Sequence, residues 1–199
     1  MLTFGYDVEA TGSNPFENKL ITIQYRTNNQ NTIFKIWDHG NSERELILDF
    51  LNNWKNIPTH ISQGGDYFVT YNLRLDAPFL LTRCLLNNIS SDVESGKHLW
   101  NTIIHAPSFI DLYQLLGDKS TRFDYWREKF GLPSSRFSNF DVPHMYRKGE
   151  FASIEEYVND ELVALEKVYE ALRKESFFVE LEKLKASENL GEAKRAAQL

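Results

Sequence analysis

Three runs rich in β-branched and aromatic residues crowd into the first 37 residues: LTFGYDV at 2–8, KLITIQYR at 19–26 and TIFKIW at 32–37. Only the polar turn-formers GSNPFEN and TNNQN stand between them, so they read as three antiparallel strands of a meander. The pattern then changes period. From Ser42, the apolar residues Leu46, Ile47, Phe50, Leu51 and Trp54 recur at helical spacing, with Ser42 and Glu45 in capping-box positions and an end near Asn56. YFVTYN at 67–72, after Gly64-Gly65, is almost continuously apolar, as a strand in the middle of a covered sheet should be.

The second half alternates in the same way. PFLLTRCLL predicts a helix from Ala77, with Pro78 in its first turn, and a polar stretch from Asn87 to Gly96 separates it from PSFIDLYQLL at 107–116, a short strand running into a helix. TRFDYWREKFG at 121–131 predicts an amphipathic turn or two, stopped by Gly131 and Pro133, and a loop covers 133–150. The clearest helix spans 154–173, announced by Ser153 and Glu156, with Val158, Leu162, Leu165 and Leu172 on one face. These elements predict an α/β domain over 1–173: a mixed sheet of an antiparallel meander plus parallel strands, with helices on both faces. Residues 174–199 read as a charged helical arm of the same domain.

At 199 residues, with 42% hydrophobic and 25% charged residues, the chain is long enough for one real core and unlike a disordered segment, coiled coil or collagen. The start MLTFGYDVEATGS fits neither a secretory signal nor a transit peptide, and no window nears the ~18 apolar residues of a spanning helix, so a cytoplasmic protein with no membrane association is expected. Cys84 is the single cysteine; its context LLTRCLL reads as a buried small hydrophobe, and neither a disulfide within the chain nor a multi-cysteine zinc site is possible. His39, His60, His98, His105 and His144 show no ligand spacing, and His144 reads as a loop residue. The net charge of −6 argues against coating nucleic acid through bulk charge, yet leaves room for a short strand in a groove and for carboxylates clustered around metal.

The carboxylates carry the chemistry. Asp7 and Glu9 are two apart in a strand and point to the same side, where two anions repel unless a cation such as Mg²⁺ or Mn²⁺ lies between them. Asp76 follows the strand YFVTY at a strand-to-helix junction, four residues after Asn72. DVEATG, YNLRLDAPFL and a late helix carrying Tyr157 with a carboxylate resemble the three motifs of the DEDD superfamily of 3′-5′ exonucleases, which have an RNase H-like fold. The variety with a tyrosine in the last motif, found in polymerase proofreading domains and compact stand-alone archaeal exonucleases, looks closest, and the resemblance covers residues 2–172.

That resemblance implies that Asp7, Glu9, Asp76 and a late carboxylate hold two Mg²⁺ or Mn²⁺ ions, with Asp7 bridging, and that Tyr157 orients the attacking water. It implies 5′-mononucleotides as product and single-stranded 3′ ends as substrate; DNA is placed ahead of RNA, although no contact that reads a 2′-hydroxyl can be assigned from the sequence. Thr11 and Gly12 would seat the terminal nucleotide, with Asn72 beside the scissile end. The third motif departs from the family's Tyr, three residues, Asp: here EEYVNDELVAL offers Asp160 and Glu161. The residues 3, 4, 7 and 8 beyond Glu161 are apolar or nearly so, which favours Glu161 as the inward group. Residue chemistry favours Asp160, so both stay candidates.

Phe16, Tyr71, Phe123, Tyr125 and Trp126 are candidates for stacking on unpaired bases, and Arg122, Arg127, Lys129, Arg136, Arg147 and Lys148 form the main basic concentration, able to follow a phosphate backbone. No Gly-rich phosphate loop of the ATPase kind is present. The irregular third motif also admits an inactive or catalytically weak nucleic-acid-binding module, or a proofreading subunit that needs a partner, and compact relatives suggest a homo-oligomer.

Overall fold

The computed structural model describes residues 3–54, 67–89, 109–116 and 123–175. In chain order it contains β1 (Thr3–Ala10), β2 (Leu20–Thr27), β3 (Gln30–Lys35), a 3₁₀ turn (Ile36–His39), α1 (Glu43–Trp54), β4 (Tyr67–Thr70) and α2 (Leu73–Leu86). There follow β5 (Phe109–Asp111), α3 (Leu112–Leu116), α4 (Phe123–Lys129), α5 (Val142–Lys148) and α6 (Phe151–Leu172). The five strands form one sheet in the order β3-β2-β1-β4-β5. The β1–β2 and β2–β3 pairs are antiparallel, β1–β4 and β4–β5 parallel. This is the mixed α/β sheet that the sequence predicts. Its β2–β3 turn places Asn28 and Asn29 at φ 50 and 62, the left-handed pair of a tight two-residue hairpin.

Alternation along the strands assigns the two faces. Tyr6, Ile23, Tyr25 and Phe34 turn toward α1, where Trp54 lies edge-on to Tyr6 at 5.7 Å and to Tyr25 at 5.6 Å, and Phe34 meets Phe50 at 5.6 Å. On the other face β1 presents Gly5, Asp7 and Glu9 to α6. A side chain at Gly5 would meet Leu165 Cδ2 at 3.3 Å, so a glycine here lets the helix close on the sheet. Polar pairs set the rotation of α6: Arg26 to Glu166 at 2.5 Å, Lys35 to Glu155 at 3.2 Å, and Asn31 Nδ2 to Asn159 Oδ1 at 2.7 Å.

Several boundaries differ from the sequence reading. β1 runs on to Ala10, two residues beyond the expected end at Val8, so Glu9 as well as Asp7 lies within the strand. β3 stops at Lys35, since the chain tightens into the 3₁₀ turn ended by Gly40 at φ 60. α2 starts at Leu73, four residues before Ala77, which puts Asp76 inside the helix's first turn. The expected loop at 133–150 contains a helix, α5, with Pro143 in its first turn and Gly149 at φ 75 closing it. α6 begins at Phe151 with Glu150 at the N-cap, so Ser153 and Glu156 form no capping box; Glu156 instead faces Arg136 at 3.6 Å. Ser42 does cap α1, its Oγ accepting the Glu45 N–H at 3.4 Å. Gly64-Gly65, His60, His98, His105, Arg122 and the arm from 176 lie outside the described residues. Among the described residues no helix is long and apolar enough to cross a membrane.

Candidate functional site

β1 is the central strand, flanked by β2 and β4, and its α6-facing side carries both acids of the first motif. Asp7 is opposite Gln24 in the β1–β2 register, and the buried Gln24 donates from Nε2 to Asp7 Oδ2 at 2.7 Å. The register slips between Glu9 and Ala10, a local irregularity of the kind that re-aims side chains beside functional sites. From the facing helix, Glu161 arrives one turn after Tyr157. Asp7, Glu9 and Glu161 each offer a carboxylate oxygen, all lying within 4.8 Å of one another.

The three acids open into a cavity of about 350 Å³, which Asp76, Asn72 and Tyr157 also line. β1, the β4–α2 turn, the first turn of α2 and α6 thus converge there, with α4 and residues 137–140 completing the wall. The Tyr157 hydroxyl donates to the Glu161 carboxylate, so the two residues of the late motif form one unit on the helix face.

Enclosure makes charge costly in this place. Burial lifts the Asp7 carboxyl to about 6 against the stabilising Gln24 hydrogen bond. Burial, then the charge of Asp7, lifts Glu161 to about 8, opposed by the Tyr157 hydrogen bond and by the positive charge of Arg127. Glu9 and Asp76 are both pushed well above the carboxylate range, by burial first and Asp7 second. Burial and the charge of Glu9 hold Tyr157 firmly protonated, as a hydrogen-bond donor. Asp7, Glu9 and Glu161 bring three hard oxygen donors close enough to hold a metal ion, whose charge would replace the protons that the lifted carboxyls otherwise retain; Asp76 lines the same cavity but is not one of the three.

The structure chooses between the two late acids in position, not in residue type. Asp160 turns away from the cluster and receives Arg127 Nη2 at 2.7 Å, so it is not among the residues that share the metal-binding position. Adjacent helical residues are separated by about 100°, and only one of the two can face the sheet. The same contact removes Arg127 from the basic surface: it is 1% exposed, and both its Nε and Nη2 donate to the Pro133 carbonyl. A buried guanidinium tied to backbone and carboxylate is not presented to a phosphate chain. Lys129, Arg136, Arg147 and Lys148 are exposed, Lys148 with Glu150 at 3.8 Å.

Thr11 and Gly12 do not line the cavity. Thr11 Oγ1 donates to Asn18 Oδ1 at 3.2 Å and accepts the Lys19 N–H at 3.0 Å, while a side chain at Gly12 would strike Asn18 Oδ1 at 2.7 Å. Both residues shape the β1–β2 loop. Of the candidate stacking residues, Tyr71 and Phe123 line the cavity, 5.0 Å apart; Phe16 and Tyr125 are exposed elsewhere, and Trp126 packs on Phe130. His144 is exposed on α5, and Cys84 is buried, as its context predicts.

Sequence reasoning missed four cavity-related residues. Gln24 had a visible signal, a lone amide in the otherwise apolar core of LITIQYR. Leu75 and Phe140, 64% and 72% exposed, provide an apolar border, and Asp124 adds a further acid, with no local pattern to announce any of the three. Fold and site together define an α/β domain with an acid-lined cavity in which Asp7, Glu9 and Glu161 could hold a metal ion. Comparison with protein-family models finds no match, and comparison with curated proteins finds none either.

Proposed function

We propose that this protein is a divalent-metal-dependent 3′-5′ exonuclease of RNase H-like fold, acting on single-stranded ends, of DNA in the first instance. One observation carries the reading: the acids of three separated sequence motifs, Asp7 with Glu9, Asp76, and Glu161, meet in a single cavity together with Tyr157. The sheet order, an antiparallel meander continued by two parallel strands, supports it at the level of fold.

Asp7, Glu9, Asp76 and Glu161 would hold Mg²⁺ or Mn²⁺. When bound, such ions supply Lewis-acid activation of water and neutralise charge at the leaving oxygen of a phosphodiester. The protein's own groups do the rest. Tyr157, kept protonated and anchored on Glu161, directs its hydroxyl into the cavity, where it orients the attacking water. Asn72 borders the cavity beside the chain end, and the exposed faces of Leu75 and Phe140 offer apolar surface to an unpaired base. Water attacks phosphorus, the bond to the 3′ oxygen of the preceding nucleotide breaks, and a 5′-mononucleotide leaves.

Incubation of the purified protein with 3′- and 5′-labelled single strands of DNA and RNA, with Mg²⁺, with Mn²⁺ and with chelator, tests the proposal. Stepwise loss from the 3′ end that requires metal is expected. Internal fragments, equal rates on blunt duplex, or undiminished cleavage in chelator would overturn it. Strand binding without cleavage would favour the second reading, a nucleic-acid-binding module that has lost catalysis.

A further inference from the structure

We propose that Asp111 is a positioning residue for Asp76, acting through the first turn of α2; it rests on the metal reading above only where metal binding is its readout. Asn72, which opens α2, sits at φ 73 and ψ 47, a left-handed conformation that Asn takes up more readily than other residues with a side chain. The first amides of a helix have no partner inside the helix, and the Asn72 side chain makes no capping hydrogen bond.

The missing acceptors come from another strand. Asp111 ends β5, paired with Thr70 at the end of the parallel strand β4. Its Oδ1 accepts the Asn72 N–H at 2.8 Å and its Oδ2 the Leu73 N–H at 3.1 Å. The same carboxylate accepts the Tyr113 N–H at 3.0 Å and Gln114 Nε2 at 3.1 Å. Four donors from two segments hold this 7% exposed group in one orientation, and through it they hold the left-handed turn. A negative charge at the start of α2 is also favourable to the helix dipole.

Asp76 lies one turn beyond Leu73, so displacement of that first turn is passed directly to its carboxylate. Asp7 and Glu9 ride on β1 and Glu161 on α6, which leaves Asp76 as the one acid of the four that depends on α2. Asp111 does not line the cavity. Its leverage is on Asp76 alone among the four acids: through the backbone of the first turn, and through its own negative charge, which acts on the Asp76 carboxyl.

Calorimetric titration of the full chain with Mn²⁺, on the wild type, Asp111→Asn, Asp76→Asn and the double variant, tests this. Asparagine keeps one acceptor oxygen but turns an amide N–H₂ toward a backbone donor, so Asp111→Asn should weaken Mn²⁺ binding by about 10-fold. The double variant should bind no more weakly than Asp76→Asn alone, because both changes act on one ligand. Additive losses, the mark of general damage, would overturn the proposal, and so would unchanged affinity in Asp111→Asn, which leaves the metal reading standing. If the wild type itself takes up no Mn²⁺, the metal reading fails, and amide exchange decides: Asp111→Asn must speed exchange at Asn72 and Leu73 by ~10-fold or more while β1 amides keep their protection. Equal acceleration in both places, or none, refutes the role. Should Asp111→Asn not fold, Gln114→Met removes one of the four donors and must shift affinity and exchange in the same direction by a smaller factor; no shift refutes it.

Discussion

Arg127 donates from Nη2 to Asp160 Oδ2 at 2.7 Å, and the next residue, Glu161, points the other way, into the carboxylates of Asp7 and Glu9. A single step of about 100° along α6 therefore separates a structural acid from a cavity acid. Glu161→Gln should abolish most metal-dependent activity, with a loss of ~10²-fold or more, while Asp160→Asn should change activity only a few-fold. Asp160→Asn should instead lower Tm by several degrees, because a buried guanidinium loses its charged partner at a cost of about 1–3 kcal/mol. Parallel rate and melting measurements check both; the opposite ranking would return Asp160 to the site.

The lifted carboxyls make stability depend on pH in a definite direction. A carboxylate whose folded-state pKa exceeds its unfolded value contributes stability that is fully present below the unfolded value and lost as pH rises through the folded one. For Asp7 that window runs from 3.8 to about 6, and for Glu161 from 4.5 to about 8. In chelator, Tm should fall steadily as pH rises from about 4 to 8. Divalent metal should flatten the decline by replacing the protons, and a profile that is equally steep with Mg²⁺ would contradict a shared metal position.

Asp7 is the acid whose charge raises Glu9, Asp76 and Glu161. Asp7→Asn should accordingly cut activity by ~10³-fold or more and raise the Tm of the metal-free protein at pH 8. Melting in chelator together with a nuclease assay reads both effects. A variant that melts lower would assign Asp7 to the fold.

Gln24 holds Asp7 from the neighbouring strand. Gln24→Leu keeps an apolar-compatible strand but removes the 2.7 Å hydrogen bond, and it should weaken Mn²⁺ binding by about 10–100-fold with little change in the spectroscopic signature of the fold. Unaltered binding in a calorimetric titration would show that Asp7 is oriented by something else.

Arg127, for all its place in the basic stretch, should be silent in nucleic-acid binding. A cation on a single strand's phosphates contributes roughly 0.7 to the slope of log affinity against log salt. Arg127→Met should leave that slope unchanged and lower Tm. A slope reduced by that amount would put the guanidinium back on the surface.

The local patterns of this chain sufficed for the meander, the covered β4, the amphipathic helices α1 and α6, and the two-residue spacing that puts Asp7 and Glu9 on one face. Each is a property of neighbours along the chain: side-chain period in a strand, apolar period in a helix. The stripe from Glu161 through Leu165 to Val168 was legible for the same reason, and it pointed to the inward acid where residue type alone pointed to Asp160. Other features depend on contacts that no local period announces. Whether Arg127 is a surface cation or a buried one depends on Pro133 and Asp160 closing over it, and Thr11 and Gly12 take their shaping role from Asn18. The helix at 142–148 is short and capped by context, with too little apolar period to stand out from its loop. Asp76 was legible as a candidate from its place after the strand YFVTY, but what holds the start of its helix was not, because the acceptor of the first amides, Asp111, lies 39 residues beyond Asn72 in the chain.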